Sequence, residues 1–339
     1  MRGHRWKTGL GLAVTVILLW WVLRDVSPAE VLSELRSADP WLMAGAVAVA
    51  TLGFVLRAMR WRVLLLPAND GTSFGSRFGA VCIGFMANNL LPARLGEFAR
   101  AYALKRSEGV DLSPALASLV AERVFDGLVL AFFLFATISR PGFPGGGAEG
   151  EIVLRRLAAA AAAVFAAGFL VLWLVARHPA PAIRLFEHTL GRVLAPRLTD
   201  RAVDVLASFI DGLGALHRLG VFLRTLAWTV FVWAFIAASI WLALLAFDIR
   251  APGFVGALFL QAIIGFAVAM PSSPGFFGPF EAAARLGLAA YAVPSARIVS
   301  FATSYHVLTF LPVTLLGLWY VRSFGIRWSD VGRSDELEA

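Results

Sequence analysis

Long apolar runs, separated by short basic stretches or by breaks rich in glycine and proline, set the pattern of this chain. Eight apolar segments stand out, at 8–23, 41–56, 78–91, 113–137, 157–175, 223–247, 254–270 and 297–321. Four of them (113–137, 157–175, 223–247 and 297–321) are long enough to bridge about 30 Å of hydrocarbon as helices rising about 1.5 Å per residue. The segments at 8–23 and 41–56 are shorter, but aromatic flanks (Trp20, Trp21, Trp41, Trp61) extend them. Segments 78–91 and 254–270 differ in kind. The first runs into Asn88-Asn89-Leu90-Leu91-Pro92-Ala93-Arg94, the second into Pro271-Ser272-Ser273-Pro274-Gly275-Phe276-Phe277-Gly278-Pro279, and each then enters a further helical stretch.

Composition removes the soluble alternative. Of 339 residues, 59% are hydrophobic and only 15% charged, with a mean hydropathy of +0.76; soluble domains carry about 25% charged residues. The reading is an all-α polytopic membrane protein, a single domain over 1–325 with a polar tail at 326–339. The net charge of +8 is almost all arginine, Lys7 and Lys105 being the only lysines. These arginines lie scattered between apolar runs, which argues against nucleic-acid binding and for loops that face the cytoplasm. Cys82 is the only cysteine, so no internal disulfide or cysteine metal cage can form.

Charge also discriminates between topologies. If all eight segments cross the membrane from a cytoplasmic N-terminus, Lys and Arg divide 14 inside to 13 outside, which is no bias. If 78–106 and 254–292 are instead re-entrant hairpins, the division becomes 20 to 7, in line with the positive-inside rule. The expectation is therefore six full spans plus two hairpins entering from opposite faces, with both termini cytoplasmic. Broken segments in corresponding positions of two halves point to an inverted repeat. A short echo supports one: Gly96, Glu97 and Arg100 in the first hairpin, Gly278, Pro279, Phe280, Glu281 and Arg285 in the second.

The remaining segments read as accessory. The first span has no small-residue cleavage site after it and is expected to be retained rather than removed as a signal peptide. Residues 178–220 carry helical apolar spacing with Arg184, Arg192, Arg197 and Arg201 between, which predicts a cytoplasmic amphipathic hairpin lying on anionic lipid. The stretch 141–150 reads as a flexible connector.

Charges inside hydrocarbon cost about 2.5–3.5 kcal/mol each on insertion scales and so mark sites. Three clusters qualify. Arg94, Glu97 and Arg100, at steps of three, share about 120° of a helix face; two guanidinium groups around one carboxylate suit a phosphate. Asn89 stands at the same break. Glu122, Arg123 and Asp126 lie within one long span, the carboxylates on one face at i, i+4; they read either as a lining of a polar cavity or as a neutralised cluster that holds helices together. Pro274, Gly275, Gly278 and Glu281 form the third cluster, where the helix that follows would aim its N-terminal N–H groups at an anion. His306 reads as a packed, hydrogen-bonded residue. The chain lacks phosphate-loop, zinc-protease and serine-hydrolase motifs. No catalytic residue, metal or cofactor is expected.

In order, N-N-L-L-P-A-R-L-G-E-F-A-R (88–100), A-E-R-V-F-D (121–126) and P-S-S-P-G-F-F-G-P-F-E (271–281) resemble the flippase-like membrane region of lysylphosphatidylglycerol synthase, over roughly residues 5–325. Stand-alone relatives of that region form a large bacterial and archaeal family. The resemblance implies a cell-membrane protein that moves an aminoacylated or otherwise decorated phospholipid between leaflets. It marks Arg94, Glu97, Arg100, Glu122, Arg123, Asp126 and Glu281 as motif positions. The soluble aminoacyl-transfer domain has no counterpart in these residues, so the expectation is a transporter rather than a synthase. Relatives also occur beside glycosyltransferases, which extends the substrate to glycolipids, isoprenoid-linked sugars or hopanoid precursors. Expected partners are an anionic phospholipid or glycolipid and a lipid-modifying enzyme or a second copy of the chain. The alternatives are an ion- or proton-coupled transporter of a small anion and a non-catalytic accessory subunit of a lipid-modifying enzyme.

Overall fold

The computed structural model describes residues 2–66, 71–91, 95–144, 147–190, 196–213, 218–269 and 273–326, with side chains from residue 12 except at 147–151, 154, 157, 158, 190, 196 and 197. Among these residues it is all helical, with thirteen α-helices and no strand. They are α1 (Arg2–Leu23), α2 (Pro28–Ser37), α3 (Pro40–Leu65), α4 (Phe74–Leu90), α5 (Gly96–Glu108), α6 (Leu112–Ile138), α7 (Gly147–Arg177), α8 (Pro179–Leu190), α9 (Pro196–Gly212), α10 (Leu219–Ala246), α11 (Gly253–Ala267), α12 (Pro279–Ala289) and α13 (Ser295–Ser323). A 3-10 turn, Pro274–Phe276, precedes α12.

Four helices are long and apolar enough to cross a membrane: α3, the Ala159–Arg177 part of α7, α10 and α13. A fifth candidate is α1 joined to α2 across a bend of 79°. With 27 residues, α6 is as long as these, but its interior carries Glu122, Arg123 and Asp126, two of them acidic. The apolar run at 41–56 turns out to be only part of α3, which starts at an Asp39 cap (Trp41 and Leu42 N–H to the carboxylate at 2.8 and 3.1 Å) and continues through Arg57, Arg60 and Trp61 to Leu65.

Helix α3 lies antiparallel along α10. Asp39 N–H donates to the Ala246 carbonyl at 2.8 Å, Ser239 Oγ to the Ala46 carbonyl at 2.6 Å, and Arg60 Nη1 to Thr229 Oγ1 at 3.2 Å. The registers of these contacts run in opposite directions. Beside them α13 provides the ruler for both interrupted segments. Gly79 at the start of α4 abuts Tyr320 and Phe324 at the end of α13, and Asn89 at the end of α4 donates to Thr314 Oγ1 at 2.8 Å. Helix α5 then returns: Ser73 N–H, just before α4, donates to the carboxylate of Glu108, the last residue of α5, at 3.1 Å. The two helices cross closely at Gly84 and Gly96, where a Cβ on Gly84 would sit 2.8 Å from the Gly96 carbonyl oxygen and 2.9 Å from the Arg100 Cβ.

The second interrupted segment folds back in the same way from the other end of α13. Gly256, near the start of α11, lies against Tyr291, just beyond α12, and Ser295 opens α13 four residues later. Its turn meets α13 through Phe277 and Phe310, whose ring centroids are 6.1 Å apart. Both fold-backs therefore start at opposite ends of α13 and bring their tips together near Phe310–Thr314, with the 3-10 turn packed against α4. At about 25 and 20 Å, α4 and α5 are short beside the roughly 43 Å of α13.

The stretch 178–220 forms α8 and α9, but α9 does more than rest on a surface. Ile210 and Leu213 are buried against the start of α6, Gly212 touches Ala117 and Pro114, and Ser113 Oγ donates to the Val205 carbonyl at 2.8 Å. Arg184 and Arg201 belong to these helices; Arg192 falls outside the described residues. Of the supposed connector 141–150, the part from Gly147 onward is already helical as the first turn of α7. The tail beyond Ile326 lies outside the described residues.

Candidate functional site

The charged side chains of α3, α5 and α6 converge into one buried cluster. Glu122, fully buried, accepts from Arg100 Nη1 at 2.9 Å and Nη2 at 3.1 Å in a bidentate pair, and Arg60 Nη2 stands 3.1 Å from its Oε1. Asp126, one turn along α6, accepts from Arg60 Nη1 at 2.5 Å and from Trp233 Nε1 of α10 at 2.8 Å. The Arg100 guanidinium lies 3.9 Å from the ring centre of Trp61, whose Nε1 donates to Ser118 Oγ at 2.9 Å. Bidentate geometry and ring stacking both favour arginine over lysine here. Arg123 points to the cluster's open side: it is 46% exposed, 3.7 Å from Glu97 and within 3.9 Å of Glu122 and Asp126.

The sequence expectation placed Arg94, Glu97 and Arg100 on one helix face. Helix α5 starts only at Gly96, and Arg94 falls outside the described residues. Glu97 and Arg100 part company within the helix: Glu97 is partly exposed towards Arg123, while Arg100 turns inward and is occupied by Glu122. Asn89 is held by Thr314. The Glu122–Arg123–Asp126 triplet is not neutralised internally; its strongest partners come from other helices.

Two members of the cluster were not legible as such. Arg60 is fully buried at its centre. Arg57, one turn earlier on α3 and 6% exposed, lies over the rings of Phe85 at 5.2 Å and Trp233 at 4.7 Å, and its Nη1 has no hydrogen-bond partner among the described residues. Arg60 Nε, Arg100 Nε and Thr225 Oγ1 are likewise buried without a partner. Among the described residues, Arg57, Arg60, Arg100 and Arg123 stand against Glu97, Glu122 and Asp126, one positive charge more than these carboxylates balance. Buried charges without a counter-charge are costly, so the arrangement suits an incoming monoanion with several acceptor oxygens.

The third expected cluster behaves differently. Gly275 (φ 74°), Phe276 (φ 61°) and Gly278 (φ 94°) make a left-handed turn after Pro274, a geometry that glycine adopts without a Cβ penalty. The N-terminus of α12 is not open to an anion, because its own Glu281 fills that place: Gly278 N–H donates to Glu281 Oε2 at 2.7 Å. The other carboxylate oxygen lies 2.7 Å from His306 Nδ1. Arg285, one turn on, donates to the terminal carbonyls of α1, Trp21 at 2.7 Å and Val22 at 2.5 Å, and pairs with Asp25 at 3.1 Å.

The model of the family described as "Lysylphosphatidylglycerol synthase TM region" matches residues 9–317. The chain belongs to that family. It is also similar to a protein named "Glycosyltransferase AglD" from Haloferax volcanii, 30% identical over 91% of this chain but 52% of the relative, so the chain spans about half the length of that relative. Two membrane proteins of Methanothermobacter thermautotrophicus, both named UPF0104, are similar as well. One is 22% identical over 96% of each chain; the other is 30% identical over 38% of this chain and 35% of its own. Membership makes this a membrane protein, and it extends the family's region across α1 to α13, with both fold-backs and the charged cluster inside.

Proposed function

We propose that the protein carries a phosphate-bearing lipid headgroup between the leaflets of the membrane, with Arg57 as the phosphate anchor. The observation that carries this reading is the buried Arg57 guanidinium, whose Nη1 has no partner within a cluster that is one positive charge in excess. One phosphodiester brings one negative charge and several acceptor oxygens, enough to pair with Arg57 without displacing Glu122 from Arg100. Arg123 and Glu97, at the open side, offer a carboxylate to a cationic headgroup and a guanidinium to the phosphate as it enters. Asn89 stands at the end of α4, held by Thr314.

The two fold-backs on α13 are then re-entrant hairpins that enter from opposite faces, with the start of α4 on the cytoplasmic side and the start of α11 on the other. Charge counting and the opposed geometry support this together. Both termini are cytoplasmic, and α8–α9 lie at the inner face. A headgroup path between the two tips needs to cross only the short distance that separates them. The chain acts as a transporter and not as an enzyme. The similarity to a relative named a glycosyltransferase, over 52% of its length, supports counting sugar-bearing lipids beside aminoacylated phosphatidylglycerol among the proposed substrates.

The test is transbilayer movement of fluorescently labelled phosphatidylglycerol in vesicles containing the purified protein, followed by dithionite quenching. The wild type should expose inner-leaflet probe, and Arg57→Met should slow this at least about tenfold, equivalent to ~1.4 kcal/mol of barrier. Equal rates for the two proteins would sink the assignment of Arg57, and no movement with the wild type would sink the proposed activity.

A further inference from the structure

The lipid cluster leaves unused a second buried titratable pair, Glu281 of α12 and His306 of α13, located where the second fold-back meets the middle of α13. Glu281 is 3% and His306 7% exposed. The imidazole lies between Phe280, 4.3 Å away and nearly parallel, and Phe277, 4.7 Å away. Charges enclosed by aromatic rings at this depth have little access to water, so each proton on the pair changes the local balance greatly.

The same carboxylate also fastens the turn. Glu281 Oε2 receives the Gly278 N–H and Oε1 faces His306 Nδ1, so a single group joins the left-handed turn, the first turn of α12 and α13. A second fastener comes from α1: Thr15 Oγ1 donates to the Phe277 carbonyl at 2.9 Å and lies 2.9 Å from Ser273 Oγ, while Ser273 N–H donates back to it at 3.2 Å. The ionisable groups on the surrounding elements are engaged elsewhere. Arg285 binds α1 and Asp25, Arg297 binds Glu34 of α2, Tyr305 bonds Ser239 of α10, and the arginines Arg57 and Arg60 of α3 belong to the lipid cluster. Helix α11 and residues 12–23 of α1 contain no charged side chain, and α4 offers Asn89 at its nearby end. Glu281 and His306 therefore have each other and the N-terminus of α12, and no other charged partner in the described contacts.

We infer that Glu281 and His306 form a proton-binding latch that couples opening of the second fold-back to proton movement; this rests on the transport reading above. With Nδ1–H facing the carboxylate, the neutral imidazole leaves the pair with one net negative charge. One proton taken from water onto the second ring nitrogen makes an imidazolium–carboxylate pair of zero net charge, which holds the Gly278 turn closed. Loss of that proton to the opposite side restores the negative charge among apolar rings and loosens the tip towards water. The ligand of this site is a proton, and the coupled motion is that of the turn from Ser273 to Gly278.

The experiment uses the full chain in vesicles with labelled phosphatidylglycerol and a trapped pH dye, under an imposed gradient of about two pH units. One proton moving down that gradient carries a driving ratio of about a hundredfold. In the wild type, protons should enter with the lipid, and the steady leaflet ratio of the probe should shift several-fold from unity. His306→Gln and Glu281→Gln, each checked for unchanged elution and melting, should leave the ratio at unity and abolish proton entry. A leaflet ratio displaced equally in the variants, or lipid movement in the wild type without proton entry, overturns the latch. Failure of the transport reading shows separately as an absence of lipid movement: in that case, proton entry with inorganic phosphate alone, lost in His306→Gln, still supports the latch, and no proton entry under either condition overturns it.

Discussion

Glu122 is the group on which the charged cluster turns, and replacing it by glutamine should destabilise the protein by about 3–5 kcal/mol, the cost of removing one partner from a buried ion pair. The magnitude follows from its surroundings. Its two oxygens take both Nη groups of Arg100, at 2.9 and 3.1 Å, and one lies 3.1 Å from Arg60. Arg60 keeps Asp126 at 2.5 Å after the change, but Arg100, whose Nε already has no partner, loses its carboxylate and keeps the face of Trp61 and one neutral amide oxygen. A double variant, Glu122→Gln with Arg100→Gln, removes the stranded charge along with its partner. It should be less destabilised than the sum of the singles, with a coupling energy of about 2 kcal/mol. Unfolding in detergent, followed by the fluorescence of the 11 tryptophans, measures all three proteins. A loss below about 1 kcal/mol for Glu122→Gln, or strict additivity, would refute the cluster as described.

Other outcomes separate structural from functional arginines. Arg57→Met should be neutral or stabilising by a few tenths to about 2 kcal/mol, since it removes a buried charge that has no ion pair, while abolishing lipid movement; Arg57→Lys should not restore it. Arg285→Ala should cost about 1–3 kcal/mol by stranding the carbonyls of Trp21 and Val22, seen as faster hydrogen exchange at the end of α1. Gly84→Ala should cost about 1–3 kcal/mol through the clash with the Gly96 carbonyl, measured as a lowered melting temperature. Cysteines at the exposed positions Lys105 and Ala289, at the feet of the two fold-backs, should be labelled from opposite sides of the membrane. Labelling from one side would contradict the opposed hairpins.

Much of the fold could be read from local pattern, because apolar runs and their breaks are local properties. The interruptions at 88–94 and 271–279 fall where α4 gives way to α5 and α11 to α12. The charged triplet of α6 is equally legible, since three charges in one apolar helix stand out. Its partners are not. Arg60 meets Asp126 across 66 residues of sequence, and Arg57 and Arg60 sit where an apolar segment ends, the usual place for an arginine that faces the cytoplasm. The signal that could have found them is the spacing of Arg57, Arg60 and Trp61 within one turn of a helix that has no acidic residue after Asp39 to pair with them. Similarly, Gly278-Pro279 predicts an N-terminal anion site at α12, but a carboxylate three residues on can cap its own helix, and Glu281 does so. His306 read as a packed histidine, and it is one; only the fold reveals that its partner is that same carboxylate.

In the proposed transport, one lipid phosphate completes the charge balance beside Arg57, and lipid retention reads this out. Purified protein offered equal amounts of phosphatidylglycerol and diacylglycerol with the same acyl chains, then examined by native mass spectrometry, should retain the phospholipid in at least about tenfold preference, a discrimination of ~1.4 kcal/mol. Arg57→Met should bind both equally. A variant that keeps the full preference for the phosphate would contradict the account.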